Sequence, residues 1–223
     1  NKFDYISSSD LVVEAITENY ETKAMVFKKL ESYCTDDCIF ASNTSSISIT
    51  KISENLSKKH RVIGMHFMNP VPIMKLVEVI NGRHTSSEVT KKIIDYSKSI
   101  NKTPLIANDY PGFISNRILL PMINEAIEAL DSGVSDVKSI DGIMKLGMGH
   151  PMGPLQLADL IGLDVCKSIL EIMHKGLNNE KYRPNKLLID LVNKGNLGVK
   201  SGEGFYNYSN SKKAEVISKR FLK

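Results

Sequence analysis

Two residues in the stretch GMHFMNPVPIMKLVEVI (64–80), His66 and Glu78, carry side chains that could move a proton. An imidazole changes charge near neutral pH, and a carboxylate beside it fixes the tautomer and stabilises the imidazolium. Glu78 is flanked by Leu76, Val77, Val79 and Ile80. On a strand it shares a face with Leu76 and Ile80, where an unpaired carboxylate is costly. A buried, partnered Glu78 is therefore expected, and a His–Glu pair is a general-base arrangement. A satisfied core histidine is the competing account of His66.

Two reaction classes use such a pair. With Ser45, in ASNTSS (41–46), the set Ser45–His66–Glu78 makes a hydrolytic triad, although no G-x-S-x-G elbow surrounds the serine. Alternatively, His66 removes a hydroxyl proton while hydride leaves the same carbon for a nicotinamide. Small hydroxyl and amide residues after a strand suit a ligand at an open α/β sheet, although taken alone the stretch is better read as a helix N-cap. Asn116, in PGFISNRILLP (111–121), opens a helix where two modules are expected to meet. By itself, a helix-start or interdomain hydrogen bond is the better account of it. Spacing alone leaves these readings open.

The elements that must carry these residues follow from hydrophobic periodicity. LVVEAI (11–16), CIFASN (38–43), RVIGMHF (61–67), KLVEVI (75–80) and PLIAND (104–109) read as strands, with helical segments after the first and near 86–100. Strands alternating with helices predict an α/β domain with a largely parallel sheet. The two strands flanking NPVPIM are too close for a helical crossover, which predicts an antiparallel or irregular pair at the sheet's edge. From Pro111 the pattern becomes helical. Leu119, Met122, Ile123, Ala126, Ile127 and Leu130 form a stripe ending at Gly133, and Pro121 should kink or break that helix. Further helices are expected near 136–146, 154–174 and 184–194. The reading is an α/β domain over 1–109 followed by an all-α domain over 110–223.

Composition narrows the classes. The chain has 223 residues, 42% apolar and 24% charged, with 29 Lys+Arg against 25 Asp+Glu. The resulting +4 is spread in pairs, with no polybasic block, which argues against nucleic acid as a partner. No apolar run approaches the ~20 residues of a membrane helix. Cys34, Cys38 and Cys166 lack zinc-site spacing and read as core or surface thiols suited to a reducing cytoplasm. The G-x-G pairs, Gly147/Gly149 and Gly202/Gly204, do not make a phosphate loop between a strand and a helix.

Taken together, SNTSS (42–46), GMHFMNPVPIMKLVEVI (64–80), PGFISNRILLPMINEA (111–126), HPMGP (150–154) and KSGEGFYNY (200–208) resemble the L-3-hydroxyacyl-CoA dehydrogenase family, from near Leu11 to Tyr208. Within it, YRPNKLL…GNLGVKSGEGFYNY is similar to the bacterial short-chain, 3-hydroxybutyryl-CoA-directed enzymes. The resemblance implies a Rossmann-type domain whose first βαβ unit is missing here, followed by an all-α C-terminal domain that forms a homodimer. It implies NAD(P)-dependent interconversion of (S)-3-hydroxybutanoyl-CoA and acetoacetyl-CoA, in butanoate or fatty acid metabolism. A longer-chain enzyme of β-oxidation and a non-catalytic relative are the alternatives. Residue by residue, His66 matches the family's catalytic base and Glu78 its paired carboxylate. Ser45 matches the serine near substrate oxygen and nicotinamide, and Asn116 the asparagine that helps hold that oxygen. Glu18, Lys23, Asn69 and Lys200 match cofactor-contacting positions. The family's G-x-G-x-x-G loop, with the residue that selects NAD or NADP, has no counterpart among these residues. The chain is therefore expected to be a fragment that by itself binds the cofactor poorly.

Overall fold

The computed structural model describes residues 4–222, which divide between Ile114 and Ser115 into two units. In the first, β1 (Leu11–Glu14), β2 (Ile39–Ser42), β3 (Val62–Phe67), β4 (Leu76–Asn81) and β5 (Thr103–Asn108) form one sheet in that order. The β1–β2, β2–β3 and β4–β5 pairs are parallel, and β3–β4 is antiparallel. Parallel neighbours need a crossover. Helix α1 (Tyr20–Tyr33) supplies the first, the five-residue α2 (Ile49–Ser53) lies in the second, and α3 (Ser87–Ser99) supplies the last.

The expected antiparallel pair exists, but it lies inside the sheet and not at its edge. Helix α3 brings the chain back so that β5 adds in parallel outside β4, leaving β1 and β5 as the edges. Alternation along the strands sorts the side chains to two faces. Phe40, Val62 and Ile80 pack with Phe27 and Leu30 of α1 and Ile49 and Ile52 of α2. Ile39, Ala41, Ile63, Met65, Val77 and Val79 pack with Val89 and Ile93 of α3. Gly64 keeps β3 and β4 close: a Cβ there would stand 2.7 Å from the Ile80 Cβ. Two pairs further along, the same register sets His66 opposite Glu78.

The second unit comprises α4 (Ser115–Asp131), α5 (Val137–Met148), α6 (Pro154–Ile161), α7 (Leu163–Leu177) and α8 (Lys186–Asn193). Its core includes Leu120, Ile123 and Ile127 of α4, Leu155 and Ala158 of α6, and Leu170 and Met173 of α7. Helix α4 runs unbroken through Pro121. It ends in a left-handed Gly133, with Gly133 N–H bonded to Leu130 O and Val134 N–H to Ala129 O, a Schellman cap. The single helix expected over 154–174 is two, because Gly162 at φ +102° turns the chain between α6 and α7. A short antiparallel pair, β6 (Tyr206–Asn207) with β7 (Val216–Ile217), accompanies the helices. Among the described residues no helix is long and apolar enough to cross a membrane.

Candidate active site

β3 and β4 place the His66 imidazole against the Glu78 carboxylate, with Nδ1 2.8 Å from Oε2 and both residues buried. The other ring nitrogen, Nε2, lies 3.1 Å from Ser45 Oγ. Bonding of Nδ1 to a carboxylate makes that nitrogen the N–H and directs the Nε2 lone pair toward the Ser45 side. The second carboxylate oxygen, Oε1, accepts from the Ile114 N–H at 3.3 Å. The Phe113 ring centroid stands 5.9 Å from that of the imidazole.

Glu18 organises the loop that presents Ser45. Its Oε1 accepts from Thr44 Oγ1 (2.6 Å), Ser45 N–H (2.9 Å), Ser46 N–H (2.9 Å) and Ser46 Oγ (3.0 Å). Burial alone would raise this carboxyl's pKa; the donors of Thr44, Ser46 and Ser45, with the Lys23 ammonium, hold it below the usual range. Lys23 is fully buried, its Nζ 2.7 Å from Glu14 Oε1, 3.4 Å from Glu18 Oε2 and 3.3 Å from Ile16 O. Glu14 also accepts from Ile16 N–H and Ser42 Oγ. The ends of β1 and β2 are thus locked around one buried ion pair.

The geometry separates the two reaction classes that spacing left open. Ser45, His66 and Glu78 are aligned as in a hydrolytic triad. An acyl-transfer site, however, also needs free backbone N–H groups beside the nucleophile to bind the oxyanion. The N–H groups of Ser45 and Ser46 both go to Glu18. Thiol nucleophiles fare no better, since burial pushes Cys38 and Cys166 up to about 12. No group of His, Cys, Asp or Glu side chains suited to a metal ion exists among the described residues. The Ser45–His66–Glu78 set lies at the C-terminal ends of β2 and β3, where open α/β sheets take their ligands.

Of the expected residues, the structure joins Ser45, His66 and Glu78 directly, and Glu18 and Lys23 through the Ser45 loop. Asn69 is exposed, two residues beyond β3. Asn116 and Lys200 belong to the helical unit, where Asn116 sits in the first turn of α4 and Lys200 pairs with Asp164. Three supports escaped the sequence reading. Glu14 anchors Lys23, Asn43 Oδ1 accepts from Phe67 N–H at 2.8 Å beside the histidine, and Asp109 accepts from Ser48 Oγ and Thr50 N–H. Glu14 alone had a signal, an acid in the apolar run LVVEAI.

A buried His–carboxylate pair on a sheet of this type is the arrangement that a proton-transferring α/β enzyme would use. Comparison with known proteins narrows the class. Residues 1–110 match the NAD binding domain model of 3-hydroxyacyl-CoA dehydrogenase, and residues 112–208 match the model of its C-terminal domain. A probable 3-hydroxybutyryl-CoA dehydrogenase of Deinococcus radiodurans is 56% identical over 199 residues, spanning 89% of this chain and 72% of that protein. The human mitochondrial hydroxyacyl-coenzyme A dehydrogenase is 45% identical over 204 residues, 91% of this chain and 65% of that one. The crystal structure of (S)-3-hydroxybutyryl-CoA dehydrogenase from Ralstonia eutropha superposes with a TM-score of 0.91 at 46% identity, covering 93% of this chain and 74% of that one. The chain belongs to the 3-hydroxyacyl-CoA dehydrogenase family.

Proposed function

We propose that the protein is a 3-hydroxybutyryl-CoA dehydrogenase, interconverting (S)-3-hydroxybutanoyl-CoA and acetoacetyl-CoA with NAD or NADP. The observation that carries this reading is the orientation of His66, with Nδ1 on Glu78 and Nε2 turned to Ser45. In oxidation His66 Nε2 accepts the C3 hydroxyl proton, and Glu78 offsets the charge that develops on the ring. In reduction the imidazolium returns that proton to the C3 oxygen. Ser45 and Asn116 are assigned to hold this oxygen, so that their hydrogen bonds strengthen as it becomes negative. The bound nicotinamide supplies the hydride acceptor in oxidation and the donor in reduction.

The residues present fit the reacting end of such a cofactor. Ser45 and the exposed Asn69 follow neighbouring strands at the sheet's ligand-binding end. Asn69 and Lys200 are assigned to contact it directly. The ammonium of Lys23 has its acceptors within the unit, so Lys23 is assigned to act through Glu18. A short acyl chain, a cytoplasmic setting, a role in butanoate or fatty acid metabolism and a homodimer formed by the helical unit complete the proposal. The 56% identity to a probable 3-hydroxybutyryl-CoA enzyme supports the short chain.

The decisive substitution is His66→Gln in the full-length protein. Turnover of acetoacetyl-CoA should fall by about 10²–10⁴-fold, while NADH and NADPH affinities measured by calorimetry stay unchanged. Surviving turnover would remove His66 as the base.

A further inference from the structure

The turn that ends the first unit holds the dyad from the side opposite Ser45. Gly112 has φ +81° and Phe113 φ +49°. Left-handed backbone is ordinary for glycine and unfavourable for a bulky aromatic residue. Phe113 is nevertheless 1% exposed, its N–H bonded to Tyr110 O at 2.8 Å and its ring tilted 59° against His66. This backbone path brings the next N–H, that of Ile114, to Glu78 Oε1, while Oε2 holds His66. One turn thus contacts both members of the pair, one by backbone and one by ring.

We propose that the Gly112–Ile114 turn is a positioning element for proton transfer, with Phe113 the positioning residue that keeps Glu78 and His66 in register. The inference rests on the reading of His66 as the base. A Glu78 carboxylate can rotate about its terminal torsion, and rotation would take Oε2 off Nδ1. The Ile114 N–H restrains it from the far side. The ring walls the imidazole, so that its interaction with Glu78 is made in a water-poor setting where charge stabilisation is stronger. The rival account is that Phe113 only fills the core beside α1 and α2. The two accounts differ in what they predict for the histidine's protonation. Loosening the turn weakens Glu78's hold on the imidazolium, so the ring gives up its proton more readily.

The test uses Phe113→Leu, which keeps apolar bulk, and Phe113→Gly, which relaxes the backbone and deletes the ring, both in the full-length protein. Oxidation of (S)-3-hydroxybutanoyl-CoA is followed against pH, with thermal melts to establish folding. We expect kcat to fall about tenfold in Phe113→Leu and further in Phe113→Gly, with both KM values nearly unchanged. The acidic limb of the kcat/KM profile should move to lower pH. A folded Phe113→Leu with an unmoved limb overturns the proposal and leaves Phe113 as core packing, and that variant decides alone if Phe113→Gly does not fold. His66→Gln runs beside them. Full activity there would overturn the assignment of the base, whereas inactivity there with an unmoved limb in Phe113→Leu overturns only the role of the turn.

Discussion

The first unit buries two glutamates, Glu14 and Glu78, at 4% exposure each, and gives them different partners. Glu14 lies at the end of an edge strand and meets an ammonium, with Ile16 N–H and Ser42 Oγ completing its hydrogen bonds. Glu78 lies inside the sheet and meets an imidazole. Both strands place an acid among apolar residues, and both acids meet an ionisable partner on a neighbouring element. The partner decides what the pair can do. A lysine side chain ordinarily keeps its charge through the neutral range and an imidazole does not. Glu14–Lys23 is accordingly a brace, while Glu78–His66 can cycle a proton. Burial makes a carboxylate dependent on its partner, and the partner's chemistry sets the role.

The widest separation between the two pairs comes from removing a single partner. Lys23→Met leaves Glu14 uncompensated in the interior and should cost ~3–5 kcal/mol of stability, read as a lowered denaturation midpoint. Adding Glu14→Gln should recover only part of it, because Ser42 Oγ and Ile16 N–H lose a charged acceptor. Glu78→Gln retains an oxygen for Ile114 but offers His66 an N–H₂ where the ring needs an acceptor. Turnover should drop by about 10²–10³-fold with a far smaller loss of stability. The contrast breaks if Glu78→Gln unfolds the protein as severely as Lys23→Met does.

This comparison also explains what could be read without a structure. The five strands and the dyad were legible because an acid inside KLVEVI has few cheap fates, and His66 stands before a turn short enough to pair the two strands. Glu14 obeys the same rule in LVVEAI, yet its partner lies on the following helix, where Lys23 resembles any solvated lysine. The position of β5 was not legible, since strand order is set by how α3 packs and not by any local pattern. The break at Gly162 was hidden by apolar periodicity that continues on both sides. Asp159 was hidden in the same way. In QLADLIGL it looks like the polar edge of an amphipathic helix, and its partners Phe205, Tyr206 and Tyr208 lie 46 or more residues further on.

Asp159 is the helical unit's counterpart to Glu14, a buried acid held by two backbone N–H groups and a phenol. Its oxygens accept from Phe205 N–H, Tyr206 N–H and Tyr208 Oη, and a Cβ on Gly204 would overlap Oδ1. Asp141 accepts from Tyr206 Oη, Leu155 N–H and Gln156 N–H. Burial, with a smaller push from Asp141, raises the Asp159 carboxyl to about 7 in spite of its donors. A carboxyl raised on folding stabilises fully below its unfolded pKa, and that contribution is lost as pH rises through the folded value. Stability should therefore decline between about pH 4 and pH 7 by on the order of a few kcal/mol. Thermal melts of Asp159→Asn across that window should be flatter than those of the parent. An equally steep slope in the variant would assign the pH dependence elsewhere.

The smallest effect is expected at Glu18, which stands between the brace and the relay: it meets Lys23 on one side and fixes the Ser45 loop on the other. Glu18→Gln keeps an oxygen for the loop and loses the charge. At neutral pH this should cost about 1 kcal/mol, kept small because the side chain is partly exposed and screened. The sign of the pH effect is opposite to that of Asp159. Glu18 has a lowered carboxyl, so its contribution is present above the unfolded value of 4.5 and disappears as pH falls through the folded one. Acid sensitivity below that value should weaken in the variant. Turnover should fall less than tenfold, with the acidic limb of its pH profile in place, because Glu18 reaches the dyad through Ser45. A loss as deep as that of His66→Gln would place Glu18 among the reacting groups, and the division between brace and relay would have to be redrawn around it.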